Sequence, residues 1–412
     1  MREPCVNPMG RRAELGITRE LLRGAMEALE SGSSPLLDHL GWAGPVPAEL
    51  AADRRALLGV ASACRRVFPL PVPNAPGLHV FGAEFDPEAL AGEAGLGVLG
   101  ASGIGLDPGR AFAACLGEAA ELMAQVETPA DRAAGRGPLR AHRWPDGAAR
   151  EIPREAALRS AGAPRPKSPL SIGCATARAP LEARLSAALE LIERDAVALW
   201  WRGGRPPRPV DDAALSRIAG AAPLLARLVG GVRLLDITTE WGVPVVAAIS
   251  FRADGTGFCC GTGARPEMAD AAQAALLELC QNELAILLVE AKRAGRGEAA
   301  LNPRDLVHLA RHAAVRDGVF AALQPNGPPG TPLLRGDDAA TRLDELARRL
   351  DEAGRELIFL DHTRKAVGLP VFRAVIPGLA CEPSTDLSPR LEATIRSHSG
   401  GPGLDPGILL FA

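Results

Sequence analysis

The sequence predicts an α+β fold in which mixed, largely antiparallel sheets pack against helices around an internally repeated site. Three observations carry this. Short apolar segments of strand character alternate irregularly with longer helical stretches. Two of them, VRLLDITT (232–239) and VPVVAAIS (243–250), are separated only by Glu240-Trp241-Gly242, which reads as a hairpin and not a parallel crossover. One layout of glycine, small residues and acids also occurs three times.

In chain order, residues 13–31 read as a helix closed by the loop signal SGSSP, and a second helix follows over 47–66. FPLPVPNAPG (68–77), with four prolines, interrupts helix, and LHVFGAEF (78–85) reads as a strand. Residues 127–168 are rich in Pro, Gly and Arg with little apolar periodicity, so a long flexible surface insertion is expected there. QPNGPPGTP (324–332) is a second soft stretch, and ELIFLDHT (356–363) and LPVFRAVIP (369–377) read as further strands. The expected division is an N-terminal helical extension, 1–55, and a catalytic domain, 56–412.

Composition narrows the function classes. The chain has 412 residues, 47% hydrophobic and 23% charged, with a formal net charge of −3, which excludes a disordered or collagenous chain. The near-neutral balance argues against nucleic-acid binding. Only Lys167, Lys292 and Lys365 are lysines and tyrosine is absent, so phosphate contacts are expected from Arg. The eight cysteines (Cys5, Cys64, Cys115, Cys174, Cys259, Cys260, Cys280, Cys381) are scattered with no C-x-x-C pair, which reads as reduced intracellular thiols. The N-terminus lacks an apolar signal core and no run of about 18 apolar residues occurs, so a cytoplasmic protein without a membrane span is expected.

The repeat carries the chemistry. Each copy is a glycine-containing turn followed by a helix reading small-x-x-small-x-x-x-Glu-x-x-(Glu or Gln). The copies are Ala111, Ala114, Glu118, Glu121; Ala183, Ser186, Glu190, Glu193; and Ala271, Ala274, Glu278, Gln281. Positions i, i+3 and i+7 share one helical stripe, so the small residues allow close approach to a neighbour and the polar pair sits side by side. Asp107-Pro108 reads as an N-cap and first-turn proline, and Pro180 opens the second helix. An acidic pair on one helix is ordinarily a solvated face. Three copies with alanines on the same stripe point instead to carboxylates on a packing face, where they need neutralising. Hard oxygen ligands suit Mg2+, which bridges carboxylates to nucleotide phosphates, and Arg194 could meet a phosphate. No G-x-x-x-x-G-K-[ST] loop occurs.

Ser186-x-x-x-Glu190-x-x-Glu193-Arg194 (SAALELIER) followed by DAVALWW resembles the signature of the YcaO family. The resemblance extends over SGIG…GEAAE, SIGCA, GTGARPE…LLELCQ and DHTRKAVGLPVFRAVIPGL, about residues 60–380. It implies ATP held between helices and sheets, Mg2+ bound by helical glutamates, and O-phosphorylation of a peptide backbone amide in a ribosomally made precursor, giving an azoline or a thioamide. Position by position, Glu118, Glu121, Glu190 and Glu193 match Mg2+ ligands. Arg194 matches a phosphate-contacting arginine. Ser186, Glu278 and Gln281 match the nucleotide-site motif, and Arg373 is a further ATP-region candidate, weighed against a surface strand arginine. Glu190, Glu193 and Arg194 are the catalytic candidates. Two departures leave azoline and thioamide products both open: Leu122 follows Glu121 where many relatives carry arginine, and the sequence closes GPGLDPGILLFA without a P-x-P-x-P tail. The implied partners are the precursor peptide, a TfuA-like or cyclodehydratase partner protein and, in a homodimer, a second copy. The alternative is a nucleotide-binding scaffold in a peptide-modifying complex.

Three other features favour structural readings. His308 and His312 have metal-binding spacing but no third ligand in sight. Trp200 and Trp201 read as core packing. Cys259 and Cys260 have no partner base nearby in sequence.

Overall fold

The computed structural model describes residues 16–29, 32–162, 170–218, 221–330, 334–381, 383, 387–405, 408 and 410. Cys5, Lys167 and the flanks of the expected first helix at 13–15 and 30–31 lie outside the described residues, as do 163–168 of the expected insertion and 331–332 of the second soft stretch. The chain forms two compact units. One comprises Met1–Ala134, Ser160–Gly162 and Thr363–Leu369; the other comprises Gly135–Arg159, Ala163–His362 and Pro370–Ala412.

The first unit opens with α1 (Arg19–Ala28), α2 (Pro35–Leu40) and α3 (Ala48–Ala63). Thr18 and Ser34 cap α1 and α2, and Gly41 closes α2 in the left-handed conformation. An antiparallel sheet follows in the order β1 (Arg66–Leu70), β2 (His79–Phe85), β3 (Leu99–Gly105). The proline-rich stretch thus begins as a strand, which the sequence reading missed. Pro69 is tolerated because β1 is an edge. After the short α4 (Glu88–Ala91) comes α5 (Pro108–Ala124), opened as expected by Asp107, whose side chain accepts the Arg110 N–H at 2.8 Å, with Pro108 in its first turn. Phe81 and Phe112 meet edge to face at 5.5 Å, as do Trp42 and Phe112, at the centre of this core. The unit's other short helix is α6 (Pro129–Ala133).

The second unit holds two antiparallel sheets. One is ordered β5 (Ala149–Ile152), β4 (Leu139–Arg143), β11 (Ile358–Asp361), β12 (Val371–Val375), β6 (Cys174–Thr176). The other is ordered β10 (Cys259–Ala264), β9 (Val245–Ser250), β8 (Arg233–Asp236), β7 (Arg208–Pro209). The expected hairpin is β8–β9, with Asp236 opposite Val246. Its helices are α7 (Pro180–Trp201), α8 (Asp212–Ile218), α9 (Ala222–Val229), α10 (Met268–Arg296), α11 (Pro303–Ala314), α12 (Ala339–Glu352) and α13 (Pro389–His398). Trp200 and Trp201 are core residues, Trp201 stacked on Phe258 at 5.2 Å.

The expected flexible insertion is corrected over its described part. Residues 127–162 carry α6 in the first unit and the hairpin β4–β5 in the second, and Ile358 and Phe359 of β11 pair with Arg143 and His142 of β4. The hairpin buries only Ala141 and Ile152 against Ile358 and Leu360. Its apolar signal is therefore faint, and its partner strand lies some 200 residues away. Helix α10 is long and apolar enough to cross a membrane by length and composition only. Eleven of its side chains are buried in this unit, among them Leu276, Leu279 and Leu284.

The glycine-containing segments of the first and third repeats are strands, not turns. A Cβ at Gly103 would fall 2.7 Å from Ala111 O, and one at Gly263 2.7 Å from Ala271 O and 2.8 Å from Ala274 Cβ. The strand backbone lies directly on the helix, which explains both the glycines and the alanines. The first small residue of every copy, Ala111, Ala183 and Ala271, is fully buried, whereas Ala114 and Ser186 are exposed. Gly261→Ala, whose Cβ would sit 2.5 Å from Ala275 O, is expected to cost more than about 4 kcal/mol. Gly59→Ala, with open space inside α3, is expected to add about 0.5–1 kcal/mol. Thermal melts of the two variants check this pair.

Candidate active site

In the second unit, α7 and α10 bring their acids to β10. Glu193 is buried, and its carboxylate accepts the Thr262 hydroxyl at 2.6 Å and the Ala264 N–H at 2.9 Å. Glu278 accepts the Thr262 N–H, and the same hydroxyl lies 3.2 Å from its Oε2. Glu190, half-buried one turn before Glu193, accepts the Gly173 N–H at 3.1 Å. Gly173 takes a left-handed φ of 69°, and a Cβ there would meet Leu191 at 2.8 Å, so glycine is required. Its carbonyl accepts the Ala374 N–H at 2.7 Å, which ties the turn to β12.

Arg194 is the cation among these acids, 3.5 Å from Glu190 and 3.7 Å from Glu193. Burial works against its charge, but Glu193, Glu190 and Glu278 together hold its pKa above the ordinary value. Burial raises the Glu190 pKa, with Arg194 opposing and Glu193 adding. Burial likewise pushes Glu278 up to about 7, helped by Glu193 and opposed by Arg194. Three carboxylates around one guanidinium leave the pocket short of positive charge, and every donor atom is a hard oxygen. These residues fit Mg2+. Among the described residues, no three His, Cys, Asp or Glu side chains are placed to hold a metal ion by themselves.

The other candidates fall as follows. Ser186 is exposed on α7 one turn before Glu190, and Gln281 is half-buried one turn after Glu278. Arg373 is buried, which overturns the surface-strand alternative. Its guanidinium donates to the carbonyls of Ile172, at 3.0 Å, and of Leu170. It therefore braces the turn that presents Gly173 to Glu190. In the first unit, Glu118 on α5 accepts the Ser102 N–H of β3 at 2.8 Å, and Glu121 is half-buried one turn on. Ser102–Glu118 and Thr262–Glu278 have the same sixteen-residue separation and the same strand-to-helix bond. The first and third repeats are one structural unit used twice. Thr262 was missed from sequence, and the signal that marks it is its place between Gly261 and Gly263 in that register.

The histidines do not form a metal pair. His308 bonds Arg311 at 2.9 Å and the His312 ring bonds the Phe258 carbonyl at 3.1 Å. His312 also lies 3.6 Å from the Cys259 sulfur, a neighbour invisible in sequence. Burial lifts that thiol to about 12, so it stays protonated.

The raised Glu278 pKa has a stability consequence. Below about 4.3 the group is protonated folded or unfolded. From there to about 7 the folded state keeps a proton that the unfolded state loses, so stability falls as pH rises through this window. Glu278→Gln is expected to shrink the fall in Tm between pH 4.5 and 8. An unchanged fall in the variant counts against the assignment.

Comparison with known proteins identifies the family and the fold. A family model described as YcaO cyclodehydratase, ATP- and Mg2+-binding, matches residues 124–380. Among solved structures, a heterocyclase in complex with substrate and cofactor is similar at 18% identity and a TM-score of 0.64, over 81% of this chain and 52% of its own, so the chain spans about half its length. YcaO from Methanopyrus kandleri bound with AMPPCP and Mg2+ is similar at 21% identity and a TM-score of 0.56, over 80% of this chain and 90% of its own. The E. coli microcin synthetase McbBCD complex contains a similar chain at 13% identity and a TM-score of 0.51, over 76% of this chain and 86% of that one. No curated protein matches. With the mixed, antiparallel fold and the family model over most of the chain, this protein belongs to the YcaO family of ATP- and Mg2+-binding cyclodehydratases.

Proposed function

We propose that the chain activates a backbone amide of a ribosomally made precursor peptide by O-phosphorylation, giving a thioamide or an azoline. The observation that carries this is the electron-rich pocket of Glu190, Glu193 and Glu278 around Arg194. Bound ATP with Mg2+ would supply the phosphoryl group that turns the amide oxygen into a leaving group. The residues divide the work. Glu190 and Glu193 would hold Mg2+ in the second unit, and Glu118 and Glu121 on α5 are proposed for the same role in the first. Arg194 is set by two carboxylates to face a phosphate. Ser186, Glu278, Gln281 and Arg373 would shape the nucleotide site, Arg373 through the 170–173 turn. Thr262 holds Glu193 and Glu278 in place, so that catalysis becomes positioning and charge neutralisation. A cytoplasmic setting, a TfuA-like or cyclodehydratase partner and a homodimer complete the reading.

Calorimetric titration with ATP tests it. Binding that needs Mg2+ and weakens at least tenfold in Glu193→Ala is expected, in line with the loss of a charged ligand (about 1.4 kcal/mol or more). A folded wild type that ignores ATP in the presence of Mg2+ overturns the reading. ATP hydrolysis stimulated by a precursor peptide separates the enzyme from a nucleotide-binding scaffold, which would bind without turnover.

A further inference from the structure

We propose that a cavity in the second unit, at the C-terminal end of α7, binds the carboxyl end of a peptide. The cavity holds about 260 Å3 and is lined by Trp200, Arg205, Arg208, Asp236, Asn326 and His398. Asp236 ends β8 and is 2% exposed. Its Oδ1 accepts the Thr238 N–H at 2.9 Å, and its Oδ2 is shielded from solvent with no hydrogen-bond partner among the described residues. A buried carboxylate oxygen left so is costly and calls for a donor. A Cβ at Gly330 would fall 2.5 Å from this oxygen and 2.9 Å from the Arg208 guanidinium, so only glycine can pack against the acid and the base without displacing them. Arg205 stands beside them, its nearest anion Glu240 at 3.9 Å. Burial lowers its pKa, and Arg208 and Arg390 lower it further against Glu240, so the site favours an added anion.

Among the lining side chains two guanidiniums outnumber one carboxylate, with Glu240 behind Arg205 at the edge of ion-pair range, and Asp236 also wants a hydrogen-bond donor. A ligand that meets both demands carries a carboxylate and an N–H within two bonds of the carboxylate carbon. The last residue of a peptide has this chemistry. The sheet favours a peptide over a free amino acid. Asp236 pairs with Val246, and Val246 with Gly263. Two strand spacings of about 4.8 Å place Asp236 about 10 Å from the backbone between Thr262 and Ala264, the two residues that bind Glu193. About three extended residues span that distance. Only this choice of ligand rests on the proposed function.

The probe is N-acetyl-Ala-Ala-Ala with a free carboxyl end, titrated against the full chain by calorimetry beside its C-terminal amide and free alanine. Binding of the free acid alone is expected. It should weaken about tenfold or more in Arg208→Gln and Asp236→Asn, as for loss of one charged hydrogen bond. In Asp236→Asn the Thr238 N–H holds the amide oxygen, so the freed position becomes a donor. Gly330→Ala displaces the Asp236 and Arg208 side chains without changing charge and should also abolish binding, with melts confirming that each variant folds. Glu193→Ala should bind the tripeptide as wild type does, and Asp236→Asn should bind ATP with Mg2+ as wild type does, which separates this pocket from the nucleotide site. Equal binding of acid and amide, no binding by folded wild type at millimolar probe, or tighter binding of free alanine overturns the proposal.

Discussion

The backbone of a glycine strand pressed onto a helix is the constraint from which the site follows. At Gly103, Gly261 and Gly263 no side chain fits between strand and helix. The strand's N–H groups therefore come within reach of acids on the helix, and Glu118 and Glu278 are fixed by those bonds. A carboxylate in that position is aimed by main chain, which has no rotamer freedom to lose. Larger residues at Ala111 or Ala271 would lift the helix off the strand and break the bond along with the packing.

In the second unit this device is extended by one side chain. Thr262 turns a strand-to-helix bond into a link between two helices, because its N–H serves Glu278 while its hydroxyl serves Glu193. The acids of α7 and α10 are held at close quarters despite their repulsion, with Arg194 as partial compensation. Stability is given up there for function, and burial places the cost on Glu190 and Glu278, whose charged forms are disfavoured until a cation arrives.

Much of this was legible in the sequence, for a physical reason. Acid spacing on a helix, the Asp107-Pro108 start and the β8–β9 hairpin are local patterns, and each is found in the fold. What escaped was non-local. The hairpin β4–β5 looks like a loop because its sheet partner lies at Ile358–Asp361. Arg373 stands between an ATP-region and a surface reading until the turn at 170–172 is folded over it. Glycines beside Ser102 and Thr262 suggest turns, because a chain alone does not say that their missing side chains are room for a helix. The acids Glu190, Glu193 and Glu278 are found together, whereas Thr262 is marked only by its place between two glycines and Asp236 carries no sequence signal of its own.

The sheet ordered β5-β4-β11-β12-β6 joins segments from both sides of α7 and α10. Its pairings are among the most distant in the chain, and contacts of this range form late, after the entropy of closing a long loop has been met. The Gly173 turn, which supplies the bond to Glu190, hangs on Ala374 in that sheet. A nascent chain can therefore build α7, α10 and the β8–β9 hairpin while still lacking the completed carboxylate cluster. Assembly of the second unit thus carries its own checkpoint, in which the carboxylate cluster is completed only after the strand at Val371–Val375 has docked.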